Sequence, residues 1–208
     1  MTPPRVFVTG TDTDVGKTVV AAIVGRAWDA DYWKPVQTGA GQDSADTTTV
    51  ARLAGLSPDR THLPRHQFAA PLSPHAAAAL EGARIGLDDF AVPDTPRPLV
   101  MEGAGGVLVP LNDEALMIDL IARLGTPVLV VARSTLGTIN HTLLTLSALK
   151  ARAIPVMGVV MNGPPSASNR QAIEHHGGAP VLAELPHAEA VTPEWVAAMA
   201  GAFPPPPR

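Results

Sequence analysis

Short apolar runs at residues 6–8, 99–101, 128–131, 156–161 and 181–185 recur along the chain and most constrain its fold. They are continuous rather than alternating, as strands buried on both faces are. Between them lie stretches with helical spacing at 18–28, 45–54, 115–124, 139–151 and 168–176. Parallel strands need a long crossover between them, and a helix is the usual one. The chain therefore reads as α/β, a parallel sheet covered by helices on both faces. No linker or internal repeat divides it, so residues 1–208 are expected to form a single domain, with a proline-rich end at 203–208 that frays. Residues 56–98, rich in Pro, His and Ala, carry only weak periodicity. A short helix is expected at Pro74–Leu80, with Ser73 as N-cap and proline in its first turn.

Composition narrows the chemistry. Hydrophobic residues make up 46% of the chain and charged ones 16%, enough for a real core, and aromatics at 4% leave that core to Ala, Val, Leu and Ile. Fifteen basic against nineteen acidic residues give a net charge of −4, which argues against a nucleic-acid partner. The absence of cysteine removes disulfides, thiolate metal sites, iron–sulfur clusters and cysteine nucleophiles together. No run approaches the roughly 18 apolar residues of a membrane helix. Met1-Thr2-Pro3-Pro4-Arg5 passes directly into Val6 without the pattern of a signal peptide. The expectation is a soluble, cytoplasmic protein with no membrane partner.

The strongest local signal is Gly10-Thr11-Asp12-Thr13-Asp14-Val15-Gly16-Lys17-Thr18, between a predicted strand and a predicted helix. In that context it reads as a P-loop, whose backbone amides and helix N-terminus cradle phosphate oxygens. Asp14, Val15, Gly16, Lys17, Thr18 and Val19 are the expected nucleotide contacts. Lys17 would neutralise the outer phosphates and the Thr18 hydroxyl would ligate Mg²⁺. Thr11 stands where the general pattern has its first glycine. Asp12 is open to two readings, loop capping or an outer role toward Mg²⁺ or a cationic substrate.

Other residues are expected on the same edge of the sheet. Lys34, in Trp33-Lys34-Pro35-Val36-Gln37-Thr38-Gly39, ends a predicted strand and could stabilise charge on a transferred phosphoryl group. In Asp43-Ser44-Ala45-Asp46, one group could cap the next helix and another approach Mg²⁺. Leu99-Val100-Met101-Glu102-Gly103-Ala104-Gly105-Gly106 is an apolar strand ending in an acid, where P-loop enzymes place a second metal-binding carboxylate. Leu136-Gly137-Thr138-Ile139-Asn140-His141 opens the longest predicted helix and could form an anion site. Asn162-Gly163 closes a strand and could read a base edge or simply turn the chain. His62, His66, His75, His175 and His176 lack metal-ligand spacing and are read as packing or surface residues.

These motifs occur in the order and spacing of dethiobiotin synthetase, a P-loop NTPase-like family that the chain resembles from residue 6 to about 186. The resemblance implies a homodimer that uses ATP and Mg²⁺ to join 7,8-diaminononanoate and CO2, through a carbamate and a carbamic–phosphoric anhydride. Residue by residue, it implies Lys34 and Lys17 as catalytic lysines, and Thr18, Asp46 and Glu102 as metal ligands. Glu102, Gly103, Ala104 and Gly105 then join the nucleotide contacts. Thr38, with Leu136, Gly137, Thr138, Ile139 and Asn140 reaching across from a second subunit, would bind the substrate. Asn162 and Gly163, with Leu185, Pro186 and His187, would flank the base. The competing reading is a ParA/MinD-like ATPase switch. Proteins of that kind commonly carry a second lysine early in the loop, where this chain has Asp12 and Asp14.

Overall fold

The computed structural model describes residues 3–39 and 46–206. Strand β1 (Arg5–Gly10) leads into α1 (Lys17–Ala27), then β2 (Asp31–Trp33), β3 (Val36–Gln37) and α2 (Asp46–Ala54). After β4 (Thr61–His62), β5 (His66–Gln67) and α3 (Pro74–Leu80) comes β6 (Leu99–Gly106). The chain then alternates through α4 (Met117–Leu124), β7 (Val128–Arg133), α5 (Thr138–Ala151), β8 (Val156–Asn162), α6 (Ala167–Gly177), β9 (Val181–Leu185) and α7 (Pro193–Ala202). Seven strands form one sheet in the order β4-β2-β6-β1-β7-β8-β9, with every pairing parallel. The expected architecture is therefore present.

Alternation along each strand divides the core into two layers. Phe7, Leu99, Met101, Val128, Val130 and Met161 share one cluster with Leu120 and Ile121 of α4 and Leu146 and Leu149 of α5. Val6, Val8, Val100, Leu129, Val131 and Val160 share the other with α1, α2 and α7. Both faces being covered, the strands had to be apolar throughout, which is why they were readable as continuous runs.

Several boundaries differ from expectation, each for a local reason. The fourth helix starts at Met117 rather than 115, because Asn112 Oδ1 accepts from the amides of Glu114 and Ala115 and holds a turn there. Ser73 precedes α3, but its hydroxyl meets His75 Nδ1 at 3.1 Å and makes no side-chain cap. Helix α7 was not expected. Thr192 accepts from the Trp195 amide, with Pro193 at the first helical position, a legible start signal in hindsight. Within 56–98, β4 extends the sheet and β5 pairs with β3 in a separate two-stranded ribbon. Asp43 and Ser44, considered above as capping residues, lie outside the described residues.

The first residues of the 203–208 end, which was expected to fray, pack onto the fold. Phe203 is buried against the α1 face, and Trp28 Nε1 donates to the Pro204 carbonyl at 2.8 Å. A buried aromatic and a satisfied indole give that stretch a place in the core, although the proline run after it looks solvent-borne in sequence. Phe203→Ala should therefore lower stability by about 3 kcal/mol in denaturant unfolding. An unchanged midpoint would show that the tail contributes nothing.

Candidate active site

Parallel strands deliver their loops to one edge of the sheet, where open α/β folds bind ligands. The turn from β1 to α1 carries the P-loop there. Gly16 sits at φ 97°, and a Cβ on it would lie 2.2 Å from Asn162 Nδ2, so backbone conformation and space both require glycine. Asn162, the last residue of β8, donates from that nitrogen to the Val15 carbonyl at 2.9 Å and braces the loop. Lys17 Nζ donates to the Asp12 carbonyl at 3.0 Å, folding back over the loop. Burial lowers the Lys17 ammonium from its ordinary value, and Lys34 adds to this, against the pull of Glu102 and Asp46. The Asp12 question resolves toward loop structure: Oδ1 accepts from the Thr13 amide, and Oδ2 faces Arg133 at 3.3 Å.

Beside the loop lies a buried charge cluster. Lys34, just beyond β2, places Nζ 2.7 Å from Asp46 Oδ2 and 3.0 Å from Glu102 Oε1. Burial opposes the Lys34 charge, but Glu102 and Asp46 outweigh it and raise the ammonium above the usual lysine range. Burial likewise opposes Asp46 ionisation, and Lys34 with Thr18 and Gln37 reverses that and lowers it. Thr18 Oγ1 lies 2.9 Å from both Asp46 Oδ1 and Glu102 Oε1, yet its single proton can serve one of them at a time. Three hard oxygens, from Thr18, Asp46 and Glu102, thus converge on one point beside the P-loop.

That donor set suits Mg²⁺, which is commonly held by one or two carboxylates and completed by phosphate and water. Among the described residues no group of three His, Cys, Asp or Glu side chains could hold a metal alone. The fit is to a cation shared with a phosphorylated ligand.

Thr18, Lys17, Lys34, Thr38, Asp46 and Glu102 all line one cleft of about 920 Å³, with Asp14, Gly16, Ala104 and Gly105 on its wall. Val19 follows in the first turn of α1, half-buried. Gly103 is crowded instead by the core, since a Cβ there would lie 2.8 Å from the Phe7 ring. Gly163 lies just past Asn162 and donates its amide to the Leu185 carbonyl at 2.9 Å; Pro186 and His187 follow on the exposed surface. The segment Leu136, Gly137, Thr138, Ile139 and Asn140 starts α5 from the end of β7 but does not line this cleft. Leu136 is fully exposed, whereas Thr138 is buried and donates its hydroxyl to the Arg133 carbonyl.

Two residues escaped sequence reasoning. Gln37 accepts from the Asp46 amide and donates to the Thr38 carbonyl, fixing the start of α2. Tyr32 is fully buried and donates to Glu102 Oε2 at 2.8 Å, its phenol pushed well above the usual value by burial and then by Glu102. Residues 71–74, from the weakly patterned segment, form one wall of the cleft. The amide of Gly39 donates to the Ala70 carbonyl and sets that wall in place.

The family model AAA_26, described as an AAA domain, matches residues 4–195. The ATP-dependent dethiobiotin synthetase BioD of Paramagnetospirillum magneticum is 56% identical over 93% of each chain. The chain belongs to the ATP-dependent dethiobiotin synthetase family. The corresponding protein of Afipia carboxidovorans is 48% identical over 91% of this chain and 90% of its own. The biotin biosynthesis bifunctional protein BioCD of Bordetella avium is 57% identical over 93% of this chain, which spans only 42% of that longer protein. Among solved structures, a ParA family ATPase from Chlorobium tepidum aligns over 96% of this chain and 90% of its own, with TM-score 0.53 and 14% identity, a likeness of fold alone.

Because Glu102 is 1% exposed and Lys34 is its buried countercharge, Lys34→Ala strands a carboxylate in the interior. We expect it to destabilise the ligand-free protein by about 3 kcal/mol. A denaturant midpoint equal to wild type would contradict a compensating role for this pair.

Proposed function

We propose that the chain closes the ureido ring of dethiobiotin, using ATP, CO2 and 7,8-diaminononanoate, in a homodimer whose substrate site spans the subunit interface. The observation that carries this reading is the convergence of Lys17, Lys34, Thr18, Asp46 and Glu102 on one cleft beside a P-loop. Membership of the synthetase family supplies the reaction.

One substrate amine adds to CO2 and loses a proton, giving a carbamate. A carbamate oxygen attacks the γ-phosphorus of ATP, and the bond to the bridging oxygen breaks, releasing ADP and leaving a carbamic–phosphoric anhydride. The second amine attacks the carbamoyl carbon, the ring closes and phosphate leaves. Such steps need positioning and charge neutralisation more than a protein base. The loop amides from Asp14 to Thr18 and the N-terminus of α1 bind the phosphates. Lys17 exchanges the Asp12 carbonyl for phosphate oxygen. Lys34, charged and held by two acids, faces the carbamate and the transferring phosphoryl group. Thr18, Asp46 and Glu102 would hold Mg²⁺, which when bound would neutralise phosphate charge during transfer.

Thr38 lines the cleft and is suited to hydrogen-bond the diamine. Asn162, Gly163, Leu185, Pro186 and His187 lie at the ends of adjacent strands, where Asn162 pairs with Leu185, and form the wall for the base. The placement of Leu136 to Asn140 outside the cleft supports their use by a second copy. So does the exposure of Leu136, and of Leu108 and Leu144 in the hollow they share with Thr11, Asp12 and Thr13. The switch reading loses support because the loop ahead of Lys17 contains no second lysine.

Release of ADP should require both diaminononanoate and bicarbonate. ATP hydrolysis that ignores both would favour a switch. Lys34→Ala should lower turnover at least about a hundredfold while nucleotide binding persists; turnover near wild type would remove it from the mechanism. Asn140→Ala should raise the KM for diaminononanoate about tenfold and leave ATP affinity unchanged. The opposite pattern would sink the intersubunit substrate site.

A further inference from the structure

Glu102 divides its carboxylate between two tasks. Oε1 meets Thr18 Oγ1 at 2.9 Å and Lys34 Nζ at 3.0 Å, the side facing the phosphate edge. Oε2 meets the Tyr32 hydroxyl at 2.8 Å, and no other partner of Oε2 occurs among the described residues. We propose that Tyr32 is a positioning residue for phosphoryl transfer, its hydroxyl fixing the Glu102 carboxylate so that Oε1 is presented to Thr18 and Lys34. The inference rests on the reading of Glu102 as an acid of the phosphoryl-transfer site.

The register of the sheet makes this possible. Tyr32 pairs with Val100 across β2 and β6, two residues before Glu102 and on the same face. A side chain from that position must run about one two-residue repeat along the strand to reach Glu102, and the phenol ring spans it. Tyr32 shares its core cluster with Val6, Val8 and Val100, for which a phenylalanine would serve as well. The hydroxyl is what the core does not need.

Its value lies at the carboxylate. Glu102 is nearly inaccessible, so water cannot satisfy Oε2 if the phenol is removed. Torsion about the last side-chain bond of a glutamate is broad, so one oxygen held only by Thr18 and Lys34 leaves the carboxylate free to turn. With the hydroxyl on Oε2, the plane is held from both ends. Tyr32 also lies two residues before Lys34, so the same contact ties the strand end that carries the lysine to the acid it faces.

The chain contains one tyrosine, which makes the contact directly observable. Replacement of tyrosine by 3-fluorotyrosine throughout the chain should give a single ¹⁹F resonance that moves on Glu102→Gln and on addition of ATP with Mg²⁺. A resonance unmoved by Glu102→Gln would overturn the contact, whatever the variants do to folding.

For function, Tyr32→Phe should lower kcat about tenfold with the KM for diaminononanoate within about twofold of wild type. Calorimetry should find ATP binding without Mg²⁺ unchanged and the gain in affinity on adding Mg²⁺ reduced about fivefold. In a Glu102→Gln background the substitution should add no further loss. Additive losses, or equal weakening of ATP binding with and without Mg²⁺, would show a general structural effect and overturn the proposal. Tyr32→Phe indistinguishable from wild type, beside a Glu102→Gln that loses turnover and the Mg²⁺ gain, would remove Tyr32 alone. Glu102→Gln that keeps both would overturn the reading of Glu102 itself, and the positioning role with it.

Discussion

The interaction on which the rest depends is the buried contact of Lys34 with Glu102 and Asp46. Neither the ammonium nor the Glu102 carboxylate can be dehydrated alone without a large penalty, so each requires the other in place. That requirement reaches into the fold. It needs β2 beside β6, which the sheet order provides. It needs the start of α2 brought back over the strand ends, which Gln37 secures by binding the Asp46 amide. It also needs the far oxygen of Glu102 satisfied, which Tyr32 does. The short β2 and β4 strands leave little hydrogen-bonded sheet at this edge, so side-chain contacts carry much of its organisation.

The same cluster explains how a chain with net charge −4 can hold a polyanion. Global charge acts over distances that salt screens, whereas the phosphate site is set by groups a few ångströms apart. Two lysines, a helix N-terminus and loop amides face the cleft. The acids beside them hold Lys34 charged, and under the proposed function their oxygens would also face a cation. Of the two loop acids, Asp12 is engaged by the Thr13 amide and Arg133, whereas Asp14 stays on the cleft wall.

Much of this was legible because burial on both faces writes strands as unbroken apolar runs, and because chemistry in such folds collects where those runs end. Lys17, Lys34 and Glu102 could be marked by that argument, and their spacing resembled one family. Asp46 could be preferred over Asp43 only through the resemblance. Tyr32 and Gln37 were invisible for a physical reason: Tyr32 looks like a core aromatic, and Gln37 like an ordinary polar residue beside a turn. Their partners are respectively 70 and 9 residues away in sequence, and only the sheet register brings the former pair together. Residues 71–74 were hidden differently. They line the cleft, and the contact beside them, from the Gly39 amide to the Ala70 carbonyl, is between backbone groups that hydrophobic periodicity does not record.

The segment from Leu136 to Asn140 shows where one chain's geometry stops. A helix N-terminus attracts anions when its amides face a ligand, and α5 begins at the ligand-binding edge, yet its first turn is not part of the cleft that holds both lysines. Gly137 takes a left-handed conformation, φ 95°, and projects Leu136 wholly into solvent. An exposed leucine beside a helix N-terminus combines an apolar contact with a dipole, a pairing suited to the alkyl chain and carboxylate of an amphipathic acid. Under the proposed dimer, a second copy would bring that pairing to the open end of the cleft. The phosphate and amine ends of the reaction would then be held by one chain and the carboxylate end by its partner, so that assembly itself would complete the substrate site.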